Sequence, residues 1–199
     1  MKKFLTIAAL AVLSSQAHAE LFNFTGNITY NTDVIQINFT LDQDATDVRL
    51  WTDSFQSGQN FDPIIALWDL TTGALIAQND DNLNVGANQT YWDAGIVMRF
   101  LAAGDYALTI AAYNNSGGSN LSDPFNFALW GTPQMLIGDW FQPSNGTGKG
   151  SYWSVWLDGV DSARNANDPG NVPEPASLLL AALGLSGLAS FHRRRRKIS

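Results

Sequence analysis

Between residues 20 and 170 no stretch repeats apolar residues at the helical period of about 3.6 over three turns, whereas alternation at period two recurs. The clearest case is Val34–Leu41, in which Ile35, Ile37, Phe39 and Leu41 fall on one face and polar residues on the other. Similar short runs cover Asp47–Asp53, Pro63–Leu70, Ala74–Asn79, Gly95–Leu101, Asp105–Tyr113, Phe125–Gly131, Met135–Phe141 and Tyr152–Leu157. Turn formers separate them: Ser57-Gly58, Thr72-Gly73, Ala103-Gly104, Ser116-Gly117-Gly118 and the Gly146–Gly150 stretch. A chain that cannot sustain a helical face must bury its alternating strands against a second sheet. Residues 20–170 are therefore expected to form one all-β domain, an antiparallel β-sandwich of jelly-roll kind.

Composition narrows the chemistry available to that body. The 199-residue chain has no cysteine, and its two histidines, His18 and His192, lie outside residues 20–170. Ser-His-Asp and Cys-His catalysis, zinc held by the usual ligands, and disulfide staples are thereby excluded. Residues 20–175 hold all 18 acidic side chains but only four basic ones, Arg49, Arg99, Lys149 and Arg164, a formal charge of −14. Such a surface repels phosphate backbones, so no nucleic-acid partner is expected. Sixteen of the acids are Asp, and Asp with abundant Asn and Gly suits turns and hard-cation ligation.

The two ends read as addresses. Lys2-Lys3, the apolar run Phe4–Leu13 and the small residues Ala17 and Ala19 form a signal peptide over 1–19, with signal peptidase as partner and a mature start at Glu20. At the other end, Pro173-Glu174-Pro175 precedes the 16-residue apolar segment 176–191 and the basic cluster Arg193, Arg194, Arg195, Arg196 and Lys197. As a helix that segment spans about 24 Å at ~1.5 Å per residue, slightly short of a standard membrane span. The basic cluster holds the cytoplasmic side and leaves the body outside.

With these parts in this order, residues 172–197 closely resemble the PEP-CTERM sorting signal of Gram-negative bacteria. The resemblance implies an exosortase-type sorting enzyme as partner, a transient inner-membrane stage, and removal of the tail near Pro173-Glu174-Pro175. It also implies a final place at the cell surface or in the extracellular matrix, alongside extracellular polysaccharide or biofilm.

A second resemblance lies in the body. Phe61-Asp62-Pro63-Ile64-Ile65-Ala66-Leu67-Trp68-Asp69, Thr72-Gly73 and Leu75-Ile76-Ala77-Gln78-Asn79-Asp80-Asp81-Asn82 are similar to the bacterial pre-peptidase C-terminal domain. So is the later pair of runs in Leu101–Ile110. Over residues 47–113 this implies a small β-sandwich of the kind that accompanies secreted enzymes, although no enzyme is joined to it here.

Two groups of side chains carry candidate chemistry. Asp62, Asp69, Asn79, Asp80, Asp81 and Asn82 make an oxygen-rich set with no Lys or Arg between residues 50 and 98, a composition suited to calcium. The same Asn79–Asn82 stretch equally suits a solvated turn. All seven tryptophans lie in the body. Trp51, Trp68 and Trp130 sit in apolar runs and are expected in the core. Trp92, Trp140 and Trp153 flank polar residues and are candidate glycan contacts, since flat aromatic faces stack on sugar rings, with core packing the default reading for large aromatics in a domain without disulfides. Glycoside hydrolysis would require a pair of carboxylates, and no motif selects one. The expectation is a non-enzymatic exported protein, with a calcium-dependent carbohydrate-binding module as the alternative.

Overall fold

The computed structural model describes residues 20–168. The cleavage residues Ala17 and Ala19, the motif Pro173–Pro175, the apolar segment 176–191 and the basic cluster 193–197 lie outside the described residues. Among the described residues no helix is long and apolar enough to cross a membrane.

The strands are β1 (Glu20–Asn27), β2 (Val34–Leu41), β3 (Val48–Thr52), β4 (Pro63–Asp69), β5 (Leu75–Asn79), β6 (Gly95–Met98), β7 (Gly104–Ala112), β8 (Tyr152–Val160) and β9 (Ser162–Asn165). They form a four-stranded sheet in the order β1-β8-β3-β6 and a five-stranded sheet in the order β5-β4-β7-β2-β9. Every pairing between these strands is antiparallel. Apart from the β4–β5 hairpin, successive strands cross from one sheet to the other. With β9 set aside, the orders 1-8-3-6 and 5-4-7-2 are those of an eight-stranded jelly roll, as expected from the sequence.

Side chains alternate across each strand, so each sheet contributes one apolar face. Ile37, Phe39 and Leu41 of β2, Ile65 and Leu67 of β4, and Leu108 and Ile110 of β7 face Phe22, Phe24, Leu50, Ile96, Val155 and Leu157 of the opposing sheet. Among the described residues both sheets, their core and their strand pairings fall between Glu20 and Asn165 and form one closed sandwich.

Strand β4 is buried on both faces from Pro63 to Trp68. Its outward residues Ala66 and Trp68 lie with Ala107 beneath Leu121 and Phe125 of the long β7–β8 connection. Trp68 donates from Nε1 to Thr109 Oγ1 at 2.9 Å, and its ring touches the backbone at Gly117, where a Cβ would sit only 2.5 Å away.

That connection is where the strand pattern misleads. Phe125–Gly131, expected to be a strand, contains the short helix α1 (Asn126–Leu129), and Met135–Phe141 pairs only through one bridge, Tyr30 with Leu136. Their apolar residues act as separate plugs: Phe127, Ile137 and Trp140 drop into the core while Leu129, Trp130, Leu136 and Phe141 stay exposed. Both sheets already have their strands, and Gly131 at φ 65° and Pro133 break any further ladder. Two strands escaped the sequence reading. β1 is recognisable only by Phe22 and Phe24, and Ser162–Asn165 has almost no apolar signal but is held by its pairing with β2.

Candidate metal centre at one end of the sandwich

The β4–β5 hairpin decides which acidic residues meet. Ile65 pairs with Asn79 and Trp68 with Leu75, so the start of β4 and the end of β5 lie at the same end of the sheet. Asp62, just before β4, therefore meets Asp80 and Asp81, just after β5. One carboxylate oxygen from each of the three lies within 4.8 Å of the others.

Asp69, which the sequence put in the same candidate calcium set, is not part of this group. It stands at the hairpin turn, about 20 Å away along the strand at ~3.3 Å per residue. There its Oδ1 accepts from the backbone N–H of Thr71 at 2.7 Å and of Thr72 at 3.0 Å, an Asx turn. The two asparagines also serve the backbone. Asn79 Oδ1 accepts from the Gly95 N–H at 2.9 Å, and Asn82 Nδ2 donates to the Gly95 carbonyl at 3.3 Å. They fasten the loop after β5 to the start of β6, and this fixes where Asp80 and Asp81 point.

Burial sets the electrostatics. Asp62 is only 3% exposed, Asp80 is half-buried and Asp81 is exposed. Desolvation pushes the Asp62 carboxyl up to about 7; a hydrogen bond from the Ser144 hydroxyl opposes the rise, and the charges of Asp80, Asp81 and Asp93 add to it. Asp80 is raised to about 6 by burial and then by Asp81, and Asp81 is raised by burial. Among the described residues the only ion pair joins Arg49 to Asp47, and the Lys149 ammonium donates to the Gly58 carbonyl, so no side-chain cation answers the three carboxylates.

Oxygen acceptors without donors occur among these carboxylates and in the loop that reaches Asp62 through Ser144. Asp62 Oδ1 and Asp80 Oδ1 are buried with no hydrogen-bond partner. Gln142 and Asn145, from the loop that also carries Ser144, are in the same condition at Oε1 and Oδ1. Their amide nitrogens are engaged, Gln142 Nε2 donating to Ser144 Oγ at 2.9 Å and Asn145 Nδ2 to the Asn60 carbonyl at 3.2 Å. Sequence reasoning missed Gln142, Ser144 and Asn145, because the fold alone brings this loop to Asp62. The contrast is Asp93: fully buried, it accepts from Thr52 Oγ1, the Phe55 N–H, and both the N–H and hydroxyl of Thr90. A carboxylate so supplied needs no ion. A set of carboxylate and amide oxygens lacking donors, with no His or Cys, is the donor chemistry of a hard cation such as calcium.

The tryptophans are sorted differently from expectation. Trp51 and Trp68 are buried, but Trp130, expected in the core, is 57% exposed at the end of α1. Trp140 and Trp153, named as candidate surface contacts, are both buried and follow the core default instead. Trp140 packs edge-on against Phe127 with ring centroids 5.6 Å apart, and Trp153 alternates inward with Val155 and Leu157 on β8. A polar neighbour in sequence carries no information about a strand residue's own face, because neighbours point to opposite sides. Trp92 is half-buried against Phe55 and Tyr91, and Tyr91 itself is exposed.

No curated protein matches the chain. A family model describing the PEP-CTERM protein-sorting motif matches residues 171–196, while the resemblance of residues 47–113 to the pre-peptidase domain is supported by no family match. A jelly-roll body thus precedes a PEP-CTERM sorting motif, which marks the chain as an exported protein handled by an exosortase.

Proposed function

We propose that the body is a non-enzymatic, calcium-stiffened module of the cell surface or extracellular matrix, working in contact with extracellular polysaccharide or biofilm. The observation that carries it is the meeting of Asp62, Asp80 and Asp81 with two buried carboxylate oxygens that lack any donor. Calcium takes six to eight oxygens at about 2.3–2.6 Å, and the oxygens of these three carboxylates supply that chemistry. An ion there would tie the β4–β5 hairpin to the loop carrying Ser144, and so hold one end of the sandwich in a single shape. The body offers neither His nor Cys for catalysis, and Asp62 is too buried to meet a polymeric substrate.

A calcium-dependent carbohydrate-binding module is the second reading. It is favoured by the exposed Tyr91 ring packed on Trp92 two residues from Asp93, whose charge reaches Asp62. Affinity electrophoresis of residues 20–168 through the producing cells' polysaccharide, with calcium and with EDTA, tests both readings. Retardation in both conditions supports the matrix role, and retardation only with calcium supports the second reading. Free migration in both refutes polysaccharide association.

A further inference from the structure

The outer face of the five-stranded sheet is covered over only half its width. Segment 113–125 lies over β4 and β7, with Leu121 and Phe125 on Trp68. Beyond that cover, over β2 and β9, a cleft of about 520 Å³ remains open, a size in the range of small-molecule sites.

Its floor follows from register. Asn38 pairs with Arg164, and Thr40 pairs with Ser162 on one side and Asp105 on the other, so these five side chains share the outer face. The Leu70–Thr71 turn makes the wall, tied down by the Leu70 N–H donating to the Asp105 carbonyl at 3.0 Å. Thr40 Oγ1 donates to Asp105 Oδ1 at 2.7 Å, which orients that carboxylate.

The charge arrangement gives the cleft its selectivity. Four basic side chains serve a body of charge −14; Arg49 is paired with Asp47 and Lys149 is bound to a backbone carbonyl. Arg99 and Arg164 have no acidic partner among the described residues, and of the two it is Arg164 that lines this cleft. Asp105 is on β7 and Arg164 on β9, with β2 between them, and Arg164 lies two residues further along its strand than Ser162, the residue level with Asp105, so their backbones are about 12 Å apart at ~4.8 Å per strand and ~3.3 Å per residue. That gap admits one sugar ring between cation and anion. A guanidinium fork takes a carboxylate through two parallel hydrogen bonds, while Asn38, Ser162 and Asp105 can exchange hydrogen bonds with ring hydroxyls.

We propose that this cleft is a subsite for a carboxylated sugar, with Arg164 holding the carboxylate and Asn38, Ser162 and Asp105 the hydroxyls. It rests on the polysaccharide-associated reading and deepens it, at a site separate from the three carboxylates.

The test titrates ¹⁵N-labelled residues 20–168 with a trisaccharide of glucuronate and with its neutral glucose counterpart. Saturable shifts in β2 and β9 with the glucuronate trisaccharide are expected, with binding about tenfold weaker for the neutral one. Arg164→Gln should weaken the acidic ligand by about tenfold and leave the melting temperature unchanged, since the side chain is exposed. Asn38→Ala should weaken both ligands. Equal affinities for the two trisaccharides, an Arg164→Gln variant that binds as the parent does, or the absence of saturable shifts each overturns the proposal. If the cells' polysaccharide retards parent and Arg164→Gln equally, the cleft fails while the wider reading stands.

Discussion

Removing a bound cation from Asp62, Asp80 and Asp81 should cost stability in a pH-dependent way, and the size of the loss follows from Asp62. In the ion-free fold its carboxyl is raised from 3.8 to about 7, so the folded state binds a proton that the unfolded chain has already released. Stability in EDTA is therefore greatest at low pH and falls as pH rises from about 4 towards 7. At 1.36 kcal/mol per pH unit the difference amounts to roughly 4 kcal/mol once Asp62 is ionised. For a chain of this size each kcal/mol moves the melting temperature by about 2–4 °C, so the loss is on the order of 10 °C. Calcium replaces the missing proton with a stronger positive charge. A calorimetric melt at pH 8 should thus show a rise on the order of 10 °C between EDTA and millimolar calcium. At pH 5 the rise should nearly vanish, because protons already neutralise Asp62 and Asp80. Asp62→Asn keeps the shape without the charge; it should remove the larger part of the slope in EDTA, leaving the smaller part that Asp80 contributes, and abolish most of the calcium increment. Equal melting temperatures with calcium and EDTA at pH 8 would refute the ion. An EDTA profile flat between pH 5 and pH 8 would refute the electrostatic reasoning itself.

Three further outcomes follow from the same contacts. Asp69→Ala removes the acceptor of two turn N–H groups and should lower stability by about 1 kcal/mol in urea denaturation, while the calcium increment stays as in the parent. Asp93→Ala leaves several buried donors in Thr52, Phe55 and Thr90 unanswered and should cost about 3 kcal/mol or more, measured the same way. Trp153→Ala empties a core position and should cost about 3–5 kcal/mol, with glycan retardation of the surviving folded fraction unchanged.

Much of the architecture was legible in the residues. The faces of β2 were visible because alternation at period two is a local property, while β4, β7 and β8 were visible as short apolar runs, and turn chemistry marked where strands stop. The three carboxylates were also visible, as members of a larger set of six. The sequence could not separate Asp69 from them, since a hairpin's register decides which of its ends two residues share. It could not sort Trp130 from Trp140 and Trp153 either, because in an irregular connection burial depends on which residues reach a gap between sheets.

Alone, the sequence determined the all-β class, the absence of Cys and His chemistry from the body, and the export and sorting address in residues 171–196. These depend on composition, on short-range periodicity and on a contiguous motif. The jelly-roll strand order, the approach of Ser144 to Asp62, and the cleft between Asp105 and Arg164 were decided by the tertiary structure. Each joins residues far apart in the chain, and such meetings are set by which sheet a strand enters and in what register, a choice made by the whole core at once.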